Sequence, residues 1–178
     1  MSAVGLFYGS SSGKTEKIAG LIKDYLSSFI KVELFDIAEI RVANLSKYSL
    51  LIFGVPTWGI GRLQDDWLRF IANNPPENLS NNCIAFFGLG DQDGYPDTFN
   101  DGMGILYNAY KQADFIHVGK WPVSDYIFEA SKAVENNEFI GLALDEDNEP
   151  EKTRNRIELW VHQLVKESLP YFQDKMEF

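Results

Sequence analysis

Hydrophobic residues along this chain fall in short runs, separated by longer stretches with helical spacing. The runs are rich in Val, Ile, Leu and Phe and do not alternate strictly with polar residues, which is typical of strands buried on both faces. We predict such strands at residues 3–8, 32–35, 50–54, 84–88 and 116–119. Buried strands that alternate with helices predict an α/β fold in which helices cover both faces of a parallel sheet.

The clearest helical pattern lies at residues 15–30, where Ile18, Ile22 and Leu26 repeat at helical spacing and charged residues occupy the opposite face. Further patterns of this kind predict helices at residues 64–72, 98–112 and 153–169. We expect Pro170 to end the last of these.

One part of the chain fits the alternation poorly. Residues 121–138 have no clean helical pattern, and residues 139–144 are again apolar. We interpret this as one edge strand that is interrupted by an insertion of roughly twenty residues, longer than a compact domain usually carries. No repeat or linker divides residues 1–178, so we expect a single domain.

Composition narrows the possible partners and the compartment. The formal net charge is −10, which disfavours nucleic acid and anionic membranes and suits basic protein surfaces, although it serves solubility equally well. Cys83 is the only cysteine, no apolar stretch is long enough to span a bilayer, and no signal peptide is visible. A cytoplasmic protein without disulfides is therefore expected.

The loop after the first predicted strand carries the strongest candidate chemistry. It contains Ser10, Ser11, Ser12, Gly13, Lys14 and Thr15, and it leads directly into a helix. Hydroxyl groups, free backbone N–H groups and the positive end of the helix dipole together favour a bound phosphate.

The residue counts favour a monophosphate over a nucleoside triphosphate. A P-loop has four residues between its two glycines, whereas Gly9 and Gly13 enclose three, and the strand at 50–54 lacks the acidic residue that would hold magnesium. A dinucleotide site is also disfavoured, because no Gly-x-Gly-x-x-Gly follows the first strand.

Two further loops are expected at the same edge of the sheet. Residues 56–61 follow the third strand and contain Trp58, and residues 88–96 follow the fourth and contain Tyr95. Each aromatic residue stands among glycines that let the backbone approach a flat ligand closely. Two such loops beside a phosphate site favour a planar, phosphorylated cofactor between the aromatic rings.

These three loops, in this order and spacing, resemble those of the flavodoxins. Residues 121–122, 128–132 and 139–147 resemble the long-chain members of that family, whose fifth strand is interrupted by an insertion. The resemblance implies a flavodoxin-like fold with helices on both faces of a five-stranded parallel sheet in the order 2-1-3-4-5.

The resemblance also implies a non-covalently bound FMN. Ser10 to Thr15 are then expected to hold its phosphate, the segment Pro56, Thr57, Trp58, Gly59 and Ile60 to cover one face of the flavin, and Tyr95 to cover the other. Leu89, Gly90 and Asp91 are expected at the pyrimidine edge, and Asp147 at the ribityl chain. In the family's one-electron carriers, a turned peptide stabilises the neutral semiquinone; here that peptide is Gly59–Ile60.

The function implied is that of a low-potential one-electron carrier, a monomer without substrate turnover of its own, that docks transiently to a reductase and to acceptor proteins. We expect Asp91, Asp93 and Asp97, with Asp65, Asp66 and Asp101 nearby, to disfavour the anionic reduced flavin. Arg62 stands where many relatives carry an acidic residue.

The alternative function is that of an FMN-dependent reductase or quinone oxidoreductase. His117, His162 and Cys83 do not form a catalytic or metal-binding set.

Overall fold

The predicted alternation of strands and helices is confirmed in a computed structural model of the protein, which describes residues 3–173. The strands are β1 (Val4–Tyr8), β2 (Val32–Asp36), β3 (Leu50–Trp58), β4 (Arg62–Leu63), β5 (Cys83–Leu89), β6 (Ile116–His117), β7 (Trp121–Pro122), β8 (Val134–Glu135), β9 (Glu138–Phe139) and β10 (Leu142–Leu144). The helices are α1 (Lys14–Leu26), α2 (Asp65–Asn73), α3 (Asp101–Tyr110) and α4 (Thr153–Gln173).

The central sheet is parallel and runs in the order β10-β5-β3-β1-β2. Two strands pair with the same side of β5. The short strand β6 pairs with the beginning of β5, and β10 pairs with the end of β5. The pair β6 and β10 is therefore one edge strand in two pieces, which confirms the flavodoxin-like order 2-1-3-4-5 with an interrupted fifth strand.

The segment between β6 and β10 forms a small antiparallel sheet of its own, in the order β7-β9-β8. The prediction of one continuous strand at residues 139–144 was wrong. Phe139 belongs to this small sheet, whereas Leu142–Leu144 belongs to the central one. The chain crosses between the two sheets at Gly141, where an added Cβ would lie 2.1 Å from the carbonyl oxygen of Phe86.

Each face of the central sheet buries a separate core. Successive residues of the strands point to opposite faces, so that Phe7 and Phe53 pack with α2 and α3, whereas Leu6 and Ile52 pack with α1 and α4. The largest buried side chains include Trp67 on α2, on one side of the sheet, and Trp160 on α4, on the other. These two apolar layers fix the strand ends that carry the candidate site.

Element boundaries differ from the sequence prediction at several places; helix α1, for example, ends at Leu26 rather than at residue 30, and strand β6 ends at His117 rather than at residue 119. Helix α4 continues through Pro170 to Gln173, because Tyr171 and Phe172 still pack against the core while Pro170 itself is exposed. Helix α3 begins at Asp101 rather than at residue 98, since Asn100 before it has a φ of +57°. Strand β3 extends four residues beyond the predicted end at Gly54, through Trp58.

No helix within residues 3–173 has the combined length and apolar character needed to cross a membrane.

Candidate functional site

A cleft of about 350 Å³ opens where β1, β3, β5 and β10 end at their carboxyl sides. This is the edge of the sheet at which doubly wound folds bind ligands. The residues that line it are Ser11, Ser12, Lys14, Thr15, Pro56, Thr57, Trp58, Gly59, Leu89, Gly90, Asp91, Tyr95, Thr98, Glu146 and Asp147.

One end of the cleft is built by the loop between β1 and α1. Gly13 caps α1 with a φ of +87° and offers no side chain, so the first N–H groups of the helix have no side-chain cap. The Ser10 Oγ accepts a hydrogen bond from the Gly13 N–H at 3.1 Å, which folds the loop back on itself. The result is a cradle of hydroxyl and N–H donors that suits an anionic oxygen-rich group.

The second wall is the end of β3. Thr57 and Trp58 remain in extended conformation because β4 pairs with them in antiparallel fashion, Thr57 opposite Leu63 and Trp58 opposite Arg62. The Thr57 Oγ1 accepts a hydrogen bond of 3.1 Å from the Gly102 N–H at the start of α3. This contact anchors the wall and leaves the Thr57 hydroxyl proton free for the cleft.

The third wall is the loop that follows β5. The carboxylate of Asp91 accepts from the Gly94 N–H at 2.7 Å and from the Asn148 amide at 2.8 Å. The Gly94 N–H, and after it the Asn148 amide, hold the pKa of Asp91 below its usual range. Asp91 is therefore a fixed negative charge that also shapes the turn leading to Tyr95.

A buried carboxylate joins this loop to the one after β10. Asp145 is fully buried and accepts from the backbone N–H groups of Gln92 at 3.0 Å, Asp147 at 3.1 Å and Asn148 at 2.9 Å. Because one side chain ties both loops, the Asp147 side of the cleft and the Tyr95 side are held at a fixed relative position.

The aromatic rings of the cleft are unusually open to solvent. Trp58 is 48% exposed and Tyr95 is 47% exposed, although large aromatic side chains are normally well buried. Their flat, half-exposed surfaces fit a planar ring system that would cover them.

Lys14 is held by an acidic partner across the cleft. Its Nζ lies 2.7 Å from Asp147 Oδ1, and this hydrogen bond raises the pKa of Lys14. Glu146 also lines the cleft. Acidic side chains therefore lie at two places in it, at Asp91 and at the neighbouring Glu146 and Asp147.

The structure brings most of the sequence-predicted residues to the cleft, but Ser10, Gly13 and Ile60 are not among its lining residues. Ser10 and Gly13 instead shape the loop through their mutual hydrogen bond, and Ile60 is 80% exposed outside the cleft. The role of the whole set as cofactor ligands stays a prediction. Thr98 and Glu146, which also line the cleft, were missed; Glu146 stands beside Asp147 in an acidic run, the one signal that indicated it.

Three of the expected acidic neighbours have other surroundings. Asp101 is buried and accepts the Lys132 N–H at 2.7 Å, and burial raises the pKa of this carboxyl, so it is not part of an exposed acidic rim. Asp65 and Asp66 instead line a second cavity, which shares Ser11, Trp58 and Gly59 with the cleft and is also lined by Gln64.

The insertion supports the Tyr95 loop from outside. The backbone N–H of Ile127 donates to Gln92 Oε1 at 2.7 Å, and those of Glu129 and Ala130 donate to the carbonyl of Pro96 at 2.9 and 3.0 Å. One role of the insertion is thus to brace the cleft.

The described part of the chain contains no cluster of three or more His, Cys, Asp or Glu side chains arranged to hold a metal ion. His117 is a packing residue: its Nε2 lies 2.6 Å from the carbonyl oxygen of Ile140, and burial lowers its pKa.

Comparison with known proteins agrees with this geometry. The family model for flavodoxin matches residues 6–160. The flavodoxin of Synechococcus elongatus is 45% identical over 94% of this chain and 98% of its own length, and that of Buchnera aphidicola from Acyrthosiphon pisum is 42% identical over 97% and 98%. The crystal structure of Fusobacterium nucleatum flavodoxin bound to flavin mononucleotide is 27% identical, covers 94% of this chain and 99% of its own, and has a TM-score of 0.84. Sequence, fold and cleft together show that the chain belongs to the flavodoxin family.

Proposed function

We propose that this protein binds FMN non-covalently in the cleft and carries single electrons at low potential from a reductase to acceptor proteins. The observation that carries the proposal is the pairing, in one cleft, of a donor-lined cradle at the start of α1 with two half-exposed aromatic rings. The Fusobacterium nucleatum flavodoxin, which has the same fold, is a structure with FMN bound.

The end of the cleft at the start of α1 suits a phosphate group that is bound without a metal ion. Ser11, Ser12 and Thr15 line it with hydroxyl groups, and the N-terminus of α1 supplies backbone donors. The nearest lysine, Lys14, already pairs with Asp147. Hydroxyl and N–H donors are therefore assigned the main part in holding the phosphate oxygens.

The end of the cleft that contains Trp58 and Tyr95 would set the redox properties of the bound flavin. Bound FMN supplies the electron-transfer chemistry, and the protein supplies its surroundings. Trp58 and Tyr95 offer electron-rich faces, and Asp91 stays ionised over the physiological pH range because its pKa is lowered. Negative charge near the ring disfavours adding further negative charge, so we infer a low potential for the last electron.

The aromatic rings also favour an electron carrier over a reductase. Hydride transfer from NAD(P)H needs one open face of the flavin, whereas Trp58 and Tyr95 are assigned to opposite faces. Electron transfer needs only an exposed edge. The partial exposure of both aromatic residues at the mouth of the cleft supports that route.

The net charge supports transient docking to partner proteins. At −10, the protein is suited to transient docking with basic partners, and we infer a monomer that acts as one domain in the cytoplasm. Neither nucleic acid nor a membrane is assigned as a partner.

The test has two steps. The purified protein is first titrated with FMN while flavin fluorescence is recorded; we expect tight, saturable quenching with one site per chain. The loaded protein is then mixed with NADH or NADPH alone and afterwards with a flavoprotein reductase. Reduction only in the presence of the reductase supports the carrier, whereas rapid steady-state oxidation of NAD(P)H without it contradicts the proposal in favour of the reductase.

A further inference from the structure

A buried glutamine lies directly behind the phosphate cradle. Gln64 is the residue before α2, it is 5% exposed, and its Nε2 lies 2.7 Å from the Ser11 Oγ. It does not line the cleft, whereas Ser11 does. Ser11 and Gln64 also both line the second cavity, so Ser11 is the residue that connects the glutamine to the cleft.

The direction of this hydrogen bond follows from a third group. The same end of the Gln64 amide lies 3.5 Å from Asp66 Oδ2, and an ionised carboxylate only accepts hydrogen bonds. The amide nitrogen, which donates, therefore belongs at that end. Within residues 3–173, the opposite atom, Gln64 Oε1, is buried and has no donor within hydrogen-bonding distance.

The surrounding atoms keep the amide in place. A Cβ added at Gly9 would lie 2.1 Å from Gln64 Oε1 and 2.8 Å from the indole ring of Trp67. The Trp67 indole is itself fixed, because its Nε1 donates to the carbonyl of Gly54 at 3.0 Å. Gln64 is thus packed between the phosphate loop and α2. In this position its Nε2 donates to Ser11, while its Oε1 is left without a hydrogen-bond partner.

The consequence concerns the proton of Ser11. A serine hydroxyl has one proton to donate, and Ser11 accepts from Gln64 on its buried side. Its proton is consequently directed away from the amide, to the cleft, where it makes its strongest bond to an anionic oxygen.

We propose that Gln64 is a positioning residue that fixes Ser11 as a donor and thereby makes the cleft select the phosphorylated flavin over riboflavin. This inference rests on the proposed function, since the anionic oxygen in question is that of the FMN phosphate. Gln64 acts only through Ser11.

The test compares two ligands that differ only in the phosphate. Apoprotein carrying Gln64→Met, which keeps the length of the side chain but cannot donate, is titrated with FMN and with riboflavin. We expect the Kd for FMN to rise by about tenfold or more, the range of one hydrogen bond to a charged group, and the Kd for riboflavin to stay within about twofold. Gln163→Met, the same change on the outer face of α4, is the matched control and should alter neither constant.

A double-mutant cycle distinguishes positioning from packing. In a Ser11→Ala background, Gln64→Met should no longer change the Kd for FMN, because the hydroxyl through which Gln64 acts is gone. If Gln64→Met unfolds the apoprotein, Gln64→Leu replaces it: this side chain also cannot donate to Ser11 and adds no charge near the phosphate, and the same selective loss of FMN affinity is expected.

The outcomes separate the two proposals. Equal weakening of FMN and riboflavin binding, or an undiminished effect of Gln64→Met in the Ser11→Ala background, would overturn the role of Gln64 while the cofactor assignment stands. Failure of the unaltered protein to bind FMN would instead overturn the proposed function.

Discussion

Two glycines in the loop after β3 serve different purposes. Gly59 has a φ of +49° and open space where a Cβ would project, so only its backbone conformation restricts substitution. Gly61 has a φ of +72°, and an added Cβ would lie 2.8 Å from Asp101 Oδ2. The first glycine therefore provides conformational freedom, whereas the second also permits close packing against α3.

This difference makes Gly59→Ala a clean probe of backbone freedom. An L-residue in the left-handed region costs about 1 kcal/mol, with no steric conflict added here. If the turned Gly59–Ile60 peptide stabilises the one-electron-reduced flavin, each of the two one-electron potentials should shift by roughly 40 mV, in opposite directions, so that their separation shrinks by roughly 80 mV in a potentiometric titration.

Gly20→Ala is the matched control. Gly20 lies inside α1, also with open space around the position of the Cβ, so the same substitution should leave both potentials unchanged. An unaltered separation in Gly59→Ala would show that the peptide has no part in tuning the flavin.

At the residue scale, the sequence predicted the cleft well where a short segment carries its own chemistry. Ser11, Thr15, Trp58 and Tyr95 all line it, and each stands in a recognisable loop. Gln64 was missed because its meaning depends on a contact with Ser11 across 53 positions of the chain. A hydrogen bond between distant residues leaves no local pattern.

At the scale of elements, the insertion is held to α4 by a buried cation. The Arg156 side chain is 4% exposed, its Nη2 lies 3.0 Å from Asp125 Oδ2 and 2.8 Å from Glu149 Oε2, and its guanidinium carbon is 4.2 Å from the ring centroid of Tyr126. Asp125 and Tyr126 belong to the insertion, so one side chain connects it to the helix and to the loop after β10.

We expect Arg156→Met to lower the free energy of unfolding by about 2–4 kcal/mol. The substitution keeps much of the apolar stem but removes a charge that pairs with two carboxylates. Urea unfolding of the apoprotein measures the change. Arg154→Met, an exposed change two residues earlier in α4, should stay within about 0.5 kcal/mol of the unaltered protein, and an equally small effect in Arg156→Met would contradict this account.

The elements themselves were mostly predictable, because buried parallel strands and amphipathic helices have distinct periods. Their ends were less so. The extension of β3 to Trp58 depends on pairing with β4 and β5, and the break between β9 and β10 depends on the close passage of Gly141 over Phe86. Both are tertiary effects that override the local pattern.

At the scale of the whole molecule, the negative charge is interrupted next to the cleft. Arg62 is exposed and pairs across β3 and β4 with Trp58, so a positive charge stands beside the aromatic wall in a protein of net charge −10. If partners dock at this face, Arg62 repels a basic partner and limits the rate of encounter.

Arg62→Glu should therefore speed electron transfer to a basic acceptor protein. We expect the second-order rate constant at low salt to rise about two- to fivefold and to fall more steeply as salt is added, measured by stopped-flow absorbance. Lys166→Glu makes the same change in net charge, to −12, but lies 13 residues into α4, about 20 Å from its start near the cleft. Equal acceleration by both variants would indicate that docking is not confined to the Trp58 face.

One-electron transfer is tested most directly by a stepwise anaerobic reduction of the FMN-loaded protein, followed by visible absorbance. We predict two well-separated one-electron steps, with a one-electron-reduced flavin accumulating between them and the second step requiring a low potential. Direct bleaching to the two-electron-reduced flavin, with no species in between, would contradict the assignment of this protein as a one-electron carrier.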